Sequence, residues 1–411
     1  MPFRRRIKWT LFAAQSFGSA GFLVSSTVTP IVGAALSGTP SWAGVPAAFY
    51  WGGGACFAFM WGRLMDRIGR RKTIATGLGI GMIGAAIAAT AVAAGTFAGF
   101  VGGLVLMGAA NTAVQLARFV AAEVHPRAER GRAIATVVMG GTIGGVLGPL
   151  LVAPTSRIAE AFSLPRFTGP YAASGGFFLV GGLVVLALLR PEPRDLALAL
   201  NEPGPHGRPD GHAARPVRDI LRDRGVQVAM LSMLLAQGVM STLMVISPLH
   251  MIGHQHPLGN ISAVMSSHVI GMFAFSMVTG KLADAWGRGP LIAVGATILI
   301  AAGLGATQSV ALGPMSAVLF LLGLGWNLCY VGGSTLLSDR LTQIERARVQ
   351  GLNDALLTGA SAFGSLLSGV AFGQVGYPFI GVAVATISLV PLALGWRLAL
   401  VRDPLMEMET R

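Results

Sequence analysis

The chain has 411 residues, of which 53% are apolar and only 11% are charged, and its formal net charge is +13. Soluble domains carry about 25% charged residues, and the mean hydropathy here is +0.66, so most of the chain must lie in lipid. The basic residues lie in short loops between apolar stretches, which argues against a nucleic-acid partner. The two cysteines have no neighbours at metal-ligand spacing, so we expect neither a disulfide nor a cysteine-bound metal.

Apolar stretches long enough to cross a bilayer, about 20 residues each, follow one another along the whole chain. The run from Leu11 to about Leu36 is too long for a cleaved signal peptide, so we interpret it as the first span. The predicted spans 1 to 12 cover residues 10–35, 42–63, 73–95, 98–121, 133–154, 170–190, 226–248, 259–281, 290–308, 313–336, 350–372 and 376–398.

This pattern predicts an all-α membrane protein with twelve transmembrane helices in two pseudo-symmetric six-helix bundles. The bundles are expected at residues 1–190 and 226–411. Residues 191–225 are rich in Pro, Arg and Asp and lack apolar periodicity, so they are expected to form a cytoplasmic linker that lets the bundles move.

Basic residues occupy every second loop, and this bias predicts which loops face the cytoplasm. They lie at both termini, in the linker and after the even-numbered spans. Those after span 4 are Arg127, Arg130 and Arg132, whereas the opposite loops carry only Arg157 and Arg166. We therefore expect a monomeric, multi-pass protein of the cytoplasmic (inner) membrane, with both termini in the cytoplasm.

A dense charged stretch joins spans 2 and 3 and returns between spans 8 and 9. The first copy is Gly62-Arg63-Leu64-Met65-Asp66-Arg67-Ile68-Gly69-Arg70-Arg71-Lys72, and the second, Gly280-Lys281-Leu282-Ala283-Asp284-Ala285-Trp286-Gly287-Arg288, begins 218 residues later (280 − 62). Another pair, Glu129-Arg130-Gly131-Arg132 and Glu345-Arg346-Ala347-Arg348, is separated by 216 residues (345 − 129). Two matches at nearly one offset indicate two repeated halves, which is typical of transporters.

At these residues the sequence resembles the major facilitator superfamily, whose loop between spans 2 and 3 has the pattern Gly-x-Leu-x-Asp-Arg-x-Gly-Arg-Arg-Lys. The resemblance implies two six-helix bundles around a central cavity that opens alternately to each side. It also implies a gating motif, here Gly62, Asp66, Gly69, Arg70, Arg71, Glu123, Asp284 and Arg288. In that motif Gly62 and Gly69 permit close approach and a tight turn, Asp66 meets the start of span 11, and Arg70 pairs with Glu123. The alternative is that these charges only fix the topology.

Span 5 contains Gly140-Gly141-Thr142-Ile143-Gly144-Gly145-Val146-Leu147-Gly148-Pro149, which resembles the glycine–proline motif of the family's antiporters. Small residues four apart allow close helix packing, and Pro149 can kink the span. Val152 and Ala153 stand where the antiporter pattern prefers glycines, so the match is partial and favours export without establishing it.

In this family spans 1, 4, 7 and 10 line the cavity, and polar side chains occur on all four spans here. The candidate cavity residues are Gln15, Asn111, Gln115, Arg118, Gln237, Trp326, Asn327 and Tyr330. Polar side chains at membrane depth either line a wet pathway or hold helices together, and both interpretations are open. Arg118 lies about 20 residues into span 4, near the cytoplasmic face, where it either pairs with Glu123 or binds substrate.

Ionisable side chains at membrane depth are few, and the candidates for proton coupling are Asp354, His268 and His250. Asp354 lies in the first turn of span 11, where it is either a helix-start carboxylate or a proton or substrate site facing Arg118 or Asp66. His250, His254 and His256 flank the loop after span 7, and loop structure, proton sensing and a metal site are all open for them.

The sequence has no phosphate-binding loop and no catalytic arrangement of Ser, His and Asp, so we expect neither an enzyme nor a cofactor. It favours a secondary active transporter of a small organic molecule, with proton-coupled export as the first expectation. Uptake of a nutrient, vitamin or metabolite is the alternative, and a non-transporting scaffold or receptor is less favoured because it needs no polar cavity. The lack of acids in span 1 and the Gln, Asn, Tyr and Trp side chains favour a neutral or anionic, partly aromatic substrate.

Overall fold

The structure is a computed structural model that describes residues 2–126, 129–200 and 215–400. Arg127, one of the predicted cytoplasmic arginines, and the middle of the linker lie outside these residues. Within them every regular element is a helix, and the described parts of the linker contribute two short ones, Pro193–Leu200 and Val217–Ile220.

Spans 1 to 6 form the N-terminal bundle, and three of them consist of two consecutive helices. Span 1 is Pro2–Ser26 and Thr29–Ser37, span 4 is Phe97–Gln115 and Ala117–Glu123, and span 5 is Arg130–Leu150 and Val152–Ala161. Spans 2, 3 and 6 are Val45–Ile68, Arg70–Ala94 and Thr168–Leu188, and a 3-10 turn, Pro40–Trp42, precedes span 2. The break in span 5 follows Pro149 closely, because proline disturbs the helical hydrogen bonds around it.

Spans 7 to 12 form the C-terminal bundle. Span 7 is Arg224–Gly253, span 8 is Leu258–Phe273 and Ser276–Trp286, span 9 is Arg288–Gly305, and span 10 is Leu312–Asp339. Spans 11 and 12 lie in one helical stretch, Gln343–Leu400, which turns at Gly376 where φ is 79°. A positive φ of this size favours glycine, so this residue marks the boundary between the two spans.

Ten helical stretches within the described residues are long and apolar enough to cross a membrane. The last of them, Arg348–Leu400, contains both span 11 and span 12. Span 2 is not among the ten because its Gly, Trp and Tyr residues make it less apolar, although its 24 residues are sufficient to cross. The prediction of an all-α membrane protein with twelve spans in two bundles is therefore confirmed.

The glycines of span 5 bring it into backbone contact with span 1 of the same bundle. A Cβ on Gly140, Gly144 or Gly148 would clash with the backbone oxygens of Phe12, Ser16 and Ala20, respectively. The three glycines are four residues apart and so lie on one helical face. The close packing expected from this spacing is present, and its partner is span 1.

The two bundles meet on the side of the molecule away from the linker. We call the side with the linker and the charged turns the linker face, and the other side the opposite face. At the opposite face Gly44, just before span 2, lies against the backbone oxygen of Ser365 in span 11, and Gly369 and Gly373 lie against Ser41. This backbone-to-backbone contact is called the small-residue seam. A further contact joins spans 5 and 8, where Ser266 Oγ donates to the Val146 oxygen at 3.0 Å.

Candidate functional site

The first charged turn is organised by the guanidinium of Arg70, which is 15% exposed. Its Nε donates to Oε2 of Glu123 at 3.0 Å, and its Nη2 donates to Oε1 of the same carboxylate at 3.2 Å. Its Nη1 donates to the backbone oxygen of Met65 at 3.2 Å. Arg70 and Glu123, paired in the gating motif, therefore join the start of span 3 to the end of span 4 by a two-point contact.

The turn itself requires glycine, because Gly69 has a φ of 90° and a ψ of 168°. Next to it, the carboxylate of Glu192 accepts from the backbone N–H of Arg70 at 2.6 Å and from that of Arg71 at 3.4 Å. A carboxylate is favourable here because the first N–H groups of a helix lack partners within the helix. Glu192 thus fixes the beginning of the linker to span 3. Glu192 was not among the predicted site residues, although the absence of an acidic residue in the first turn of span 3 is a signal for an external carboxylate.

The second charged turn has the same geometry in the C-terminal bundle. Gly287 has a φ of 87° and a ψ of 167°, and Arg288 Nη1 donates to the backbone oxygen of Ala283 at 2.9 Å. Arg288 Nε donates to Oδ2 of Asp339 at 2.9 Å. Asp339 lies 216 residues after Glu123 (339 − 123), so the repeat offset could have identified this partner from sequence.

The aspartates of both turns point into solvent rather than toward the other bundle. The side chains of Asp66 and Asp284 are 78% and 77% exposed, and each pairs only loosely with the arginine four residues later, at 3.7 Å and 3.5 Å. Asp66 therefore does not occupy the position at the start of span 11 that the resemblance implies. Gly62 does not show the expected close approach either, because no described atom lies within 4 Å of the position of its missing Cβ.

The start of span 11 is occupied by the end of the linker instead. The side chain of Glu345 is 2% exposed. Its Oε1 accepts from Arg215 Nε at 2.8 Å, its Oε2 accepts from Arg215 Nη2 at 3.0 Å, and Oε2 also accepts from the Thr342 N–H at 3.0 Å, as in a capping box. The Arg215 guanidinium holds the pKa of Glu345 well below its usual range. We call Arg215 and Glu345 the linker clamp.

Among the ion pairs between described residues, the one formed by Arg118 and Asp354 joins the two bundles. Arg118 Nη2 in span 4 lies 3.5 Å from Asp354 Oδ2 in span 11, and both side chains are partly exposed. Tyr330 in span 10 lies close to both charged groups. The structure thus places Arg118 against Asp354 and not against Glu123, whose carboxylate is held by Arg70. Asp354 thus faces Arg118 rather than Asp66, and its role as a helix-start carboxylate or as a proton or substrate site stays a prediction.

Next to this ion pair, three side chains form a bonded row that we call the aromatic row: Gln237, Trp326 and Tyr330. The rings of Trp326 and Tyr330 are stacked, with centroids 4.9 Å apart and planes 18° from parallel. Trp326 Nε1 donates to Gln237 Oε1 at 2.7 Å, and Gln237 Nε2 donates to Ser361 Oγ at 2.7 Å. The row therefore connects spans 7, 10 and 11. The bonds fix the orientation of the Trp326 ring, and Tyr330 stacks on it.

The N-terminal bundle contributes two amide side chains that are not held by hydrogen bonds to other described residues. Asn111 and Gln115 precede Arg118 on one face of span 4 and are partly exposed, and neither bonds to another described residue. Gln15, in contrast, is buried beside Gly141 of span 5, with its Nε2 3.5 Å from Ser19 Oγ. The open amides thus belong to span 4, whereas Gln15 contributes to the packing of spans 1 and 5.

Asn327 lies in the interior of the C-terminal bundle rather than with the aromatic row, and it is 2% exposed. Its Nδ2 donates to the Met272 oxygen at 2.7 Å and to Ser276 Oγ at 3.0 Å, and its Oδ1 accepts from Thr279 Oγ1 at 2.7 Å. Span 8 breaks between Phe273 and Ser276, which leaves carbonyls such as that of Met272 without helical partners. Asn327 satisfies this break and holds span 10 to span 8.

Neither of the two candidate histidines lies near Asp354. His268 is fully buried between spans 8 and 10, with its Nδ1 2.8 Å from the Leu319 oxygen. His250 lies at the opposite face, where its ring stacks on that of Tyr377 at 4.0 Å. Within residues 2–126, 129–200 and 215–400, no group of three or more His, Cys, Asp or Glu side chains is placed to share a metal ion.

Comparison with known proteins identifies relatives in sequence and solved structures with the same fold. The sequence profile described as Major Facilitator Superfamily matches residues 11–259 and 229–409. YddS of Bacillus subtilis, an uncharacterized MFS-type transporter, is 31% identical over 393 residues, which cover 94% of this chain and 89% of YddS. YdeG of the same organism, also an uncharacterized MFS-type transporter, is 33% identical over 375 residues, covering 88% and 85%. The riboflavin transporter RfnT of Brucella anthropi is 27% identical over 388 residues, covering 93% and 94%.

Solved structures with much lower sequence identity share the arrangement of the helices. A bacterial homolog of the human lysosomal transporter Spinster, in an inward-facing and occupied conformation, superposes with a TM-score of 0.74 at 15% identity over 97% of both chains. The xylose transporter XylE of E. coli, in a partially occluded inward open conformation, gives 0.70 at 15% identity over 97% of this chain and 98% of XylE. These likenesses show the fold, and the profile and the two Bacillus relatives show the family. The chain belongs to the Major Facilitator Superfamily.

Proposed function

We propose that this protein is a proton-coupled secondary transporter of a small, planar aromatic solute. The observation that carries the proposal is the ion pair of Arg118 and Asp354, which joins the two bundles next to the aromatic row. A charged pair at membrane depth is costly, and such residues typically belong to a transport pathway.

Protonation of Asp354 supplies the coupling step. The ionised carboxylate attracts Arg118 across the gap between the bundles, and this attraction favours the arrangement in which the two groups are close. A proton on Asp354 neutralises the carboxylate and removes that attraction. Arg118 is then free to bind an electron-rich group of the solute. The proton thus changes both the contact between the bundles and the charge offered to the solute.

The surrounding side chains suit a flat solute with polar edges. Tyr330 is partly exposed and stacks on the buried Trp326 ring, whose orientation Gln237 fixes, so it offers aromatic surface on which a planar ring can stack. Asn111 and Gln115, which bond to no other residue in the described part of the chain, supply amides for the edges of the solute. Arg118 and Asp354 together carry no net charge, so a neutral solute, or one with a single acidic group, is favoured over a cation.

Riboflavin fits this description, and RfnT, which is 27% identical to the chain, is a riboflavin transporter. We therefore take riboflavin as the first test solute. The partial glycine–proline match in span 5 favours export, with the linker face in the cytoplasm, and uptake is the alternative direction. When the linker face closes, Asp66 is expected to leave solvent and pack at the start of span 11.

The test is transport of radiolabelled riboflavin by the purified protein in liposomes, with a pH gradient imposed in either direction. We expect the wild type to accumulate solute against its gradient, and the orientation of the productive pH gradient gives the direction of coupling. Asp354→Asn should lose pH-driven accumulation but keep exchange of labelled for unlabelled solute, because only the coupling proton is lost.

Asp219→Asn is the matched control, because Asp219 is an exposed aspartate in the short linker helix and, among the described residues, its side chain forms an ion pair with Arg222 alone, at 3.5 Å. Wild-type accumulation by Asp354→Asn would exclude this coupling. If riboflavin is not carried, the same assay is run with solutes from a thermal-shift screen of planar aromatics, because a bound ligand raises Tm by mass action. Failure of the wild type to move any binding solute would favour a non-transporting role.

A further inference from the structure

The end of span 7 carries a pair of histidines outside the region used above. His250 and His254 are four residues apart on one helix and therefore lie on the same side of it. Their ring centroids are 4.5 Å apart, with an angle of 64° between the planes. The pair lies at the opposite face, and its position at the C-terminal end of a helix favours a bound cation, because the helix dipole is negative there.

The ring of His254 is oriented for binding through one defined nitrogen. Its Nδ1 lies 2.9 Å from the backbone oxygen of His250. A carbonyl oxygen accepts, so Nδ1 carries the proton and Nε2 presents a lone pair. Metal-binding histidines commonly have this arrangement, in which the second ring nitrogen donates to a carbonyl and fixes the tautomer. His254 is exposed, so a metal ion can reach Nε2 from solvent.

The ring of His250 is held in place by stacking. It lies parallel to the Tyr377 ring, with centroids 4.0 Å apart and planes 7° from parallel, and the Tyr377 hydroxyl is bonded to Ser247 Oγ at 2.8 Å. Only 9% of His250 is exposed, yet no described group bonds to its ring nitrogens. A largely buried imidazole without a partner, next to a second imidazole, has the geometry of half a metal site.

We propose that His250 and His254 bind a divalent transition metal ion, Zn²⁺, Ni²⁺ or Cu²⁺, with water completing the coordination. Two histidines four apart on a helix are a recurring metal-binding arrangement, and imidazole prefers these ions over Mg²⁺ or Ca²⁺. Metal–nitrogen bonds are about 2.0–2.1 Å long, so one ion can bridge rings that are in contact. With two protein ligands the ion exchanges with solvent, and the proposal does not depend on the transported solute.

His256 offers a matched control, because it belongs to the same segment but is differently bonded. Its Nδ1 lies 3.4 Å from Asn260 Nδ2. The His250 ring contacts the rings of His254, Phe372 and Tyr377. Among the described residues, His256 forms no ring contact with the pair. A site formed by the pair therefore requires His254 but not His256.

The experiment is isothermal titration calorimetry of the purified full-length protein, with its affinity tag removed, against ZnCl₂, NiCl₂ and MgCl₂. We expect saturable binding of one Zn²⁺ or Ni²⁺ per protein and no binding heat with Mg²⁺. His254→Ala should weaken binding roughly tenfold or more, and His256→Ala should leave it unchanged. His254 is exposed, so its replacement preserves the fold, which a thermal melt without metal verifies. Absence of saturable binding in the wild type, or wild-type affinity in His254→Ala, would overturn the proposal.

Discussion

The two charged turns are nearly identical, whereas the surfaces beside them have diverged. Gly69 and Gly287 share one backbone conformation, with φ of 90° and 87°. Arg70 and Arg288 each bond a backbone oxygen of the preceding span and a carboxylate at the end of the following span. The turn is therefore a duplicated structural unit whose geometry is determined within each half.

The starts of spans 5 and 11 and the polar side chains of spans 4, 7 and 10 differ between the halves. Glu345 is clamped by Arg215, whereas Glu129, its repeat partner, is exposed and makes no side-chain cap bond. The C-terminal half contributes the aromatic row, in which Trp326 and Gln237 are hydrogen-bonded, whereas the N-terminal half contributes Asn111 and Gln115, which bond to no other described residue. The two halves thus share the charged turns, but they differ at the contact with the linker and in the polar side chains of spans 4, 7 and 10.

The largest expected effect comes from the glycine contacts between spans 1 and 5. A Cβ on Gly144 would clash with the Ser16 oxygen, whereas one on Gly364, in the corresponding contact of spans 7 and 11, would lie 2.8 Å from the Gly238 oxygen. We expect Gly144→Ala to lower the free energy of unfolding by about 2–3 kcal/mol and Gly364→Ala by about 1 kcal/mol.

Unfolding in a mixed-detergent titration measures both changes. Gly176→Ala is the control. No atom of the described residues lies within 4 Å of its Cβ position, so the substitution should be neutral or slightly stabilising. Equal stability of Gly144→Ala and Gly176→Ala would show that the contact between spans 1 and 5 is not tight.

Neutralising the carboxylate partner of each charged turn tests whether the two turns contribute equally to stability. Arg70 is 15% exposed and has a two-point contact with Glu123, whereas Arg288 is 26% exposed and has a single bond to Asp339. Glu123→Gln should therefore cost about 1–2 kcal/mol and Asp339→Asn less than about 1 kcal/mol. Chemical unfolding of the two variants side by side gives both numbers. A larger loss for Asp339→Asn would mean that the second turn, not the first, is the more constrained copy.

The smallest effect, and one that depends on pH, is expected at the linker clamp. Arg215 lowers the pKa of Glu345 in the folded protein, so the clamp stabilises fully above the unfolded value of about 4.3 and loses this contribution as the pH falls below it. Glu345→Gln should therefore lower Tm by the same amount at pH 7.5 and pH 5.5, with a smaller difference from wild type below about pH 4. Glu129→Gln should leave Tm unchanged at each pH. A Tm difference for Glu345→Gln that grows on acidification would contradict this sign.

The spans, their grouping into two bundles and the charged turns could be predicted because they depend on local composition and on a repeated motif. The partners Glu192 and Asp339 could not be assigned from local pattern alone, because each is far in sequence from the arginine that it contacts. Glu192 in the linker binds the backbone of Arg70, and Asp339 in span 10 binds the side chain of Arg288. The repeat offset, applied to Glu123, would nevertheless have identified Asp339. The placement of Asn327 was open at sequence level, because polar residues in lipid serve both packing and pathways. The break in span 8, which determines that placement, has no proline to signal it.

The small-residue seam at the opposite face has a consequence for the entropy of closing. Ser41 and Gly44 meet Ser365, Gly369 and Gly373 through backbone atoms and short side chains. Fixing a long side chain costs up to about 2 kcal/mol, whereas glycine has no side chain to fix. Contact between the bundles along the seam therefore costs almost no side-chain conformational entropy. A larger side chain at the seam would add the cost of fixing its rotamers whenever the two bundles come together there.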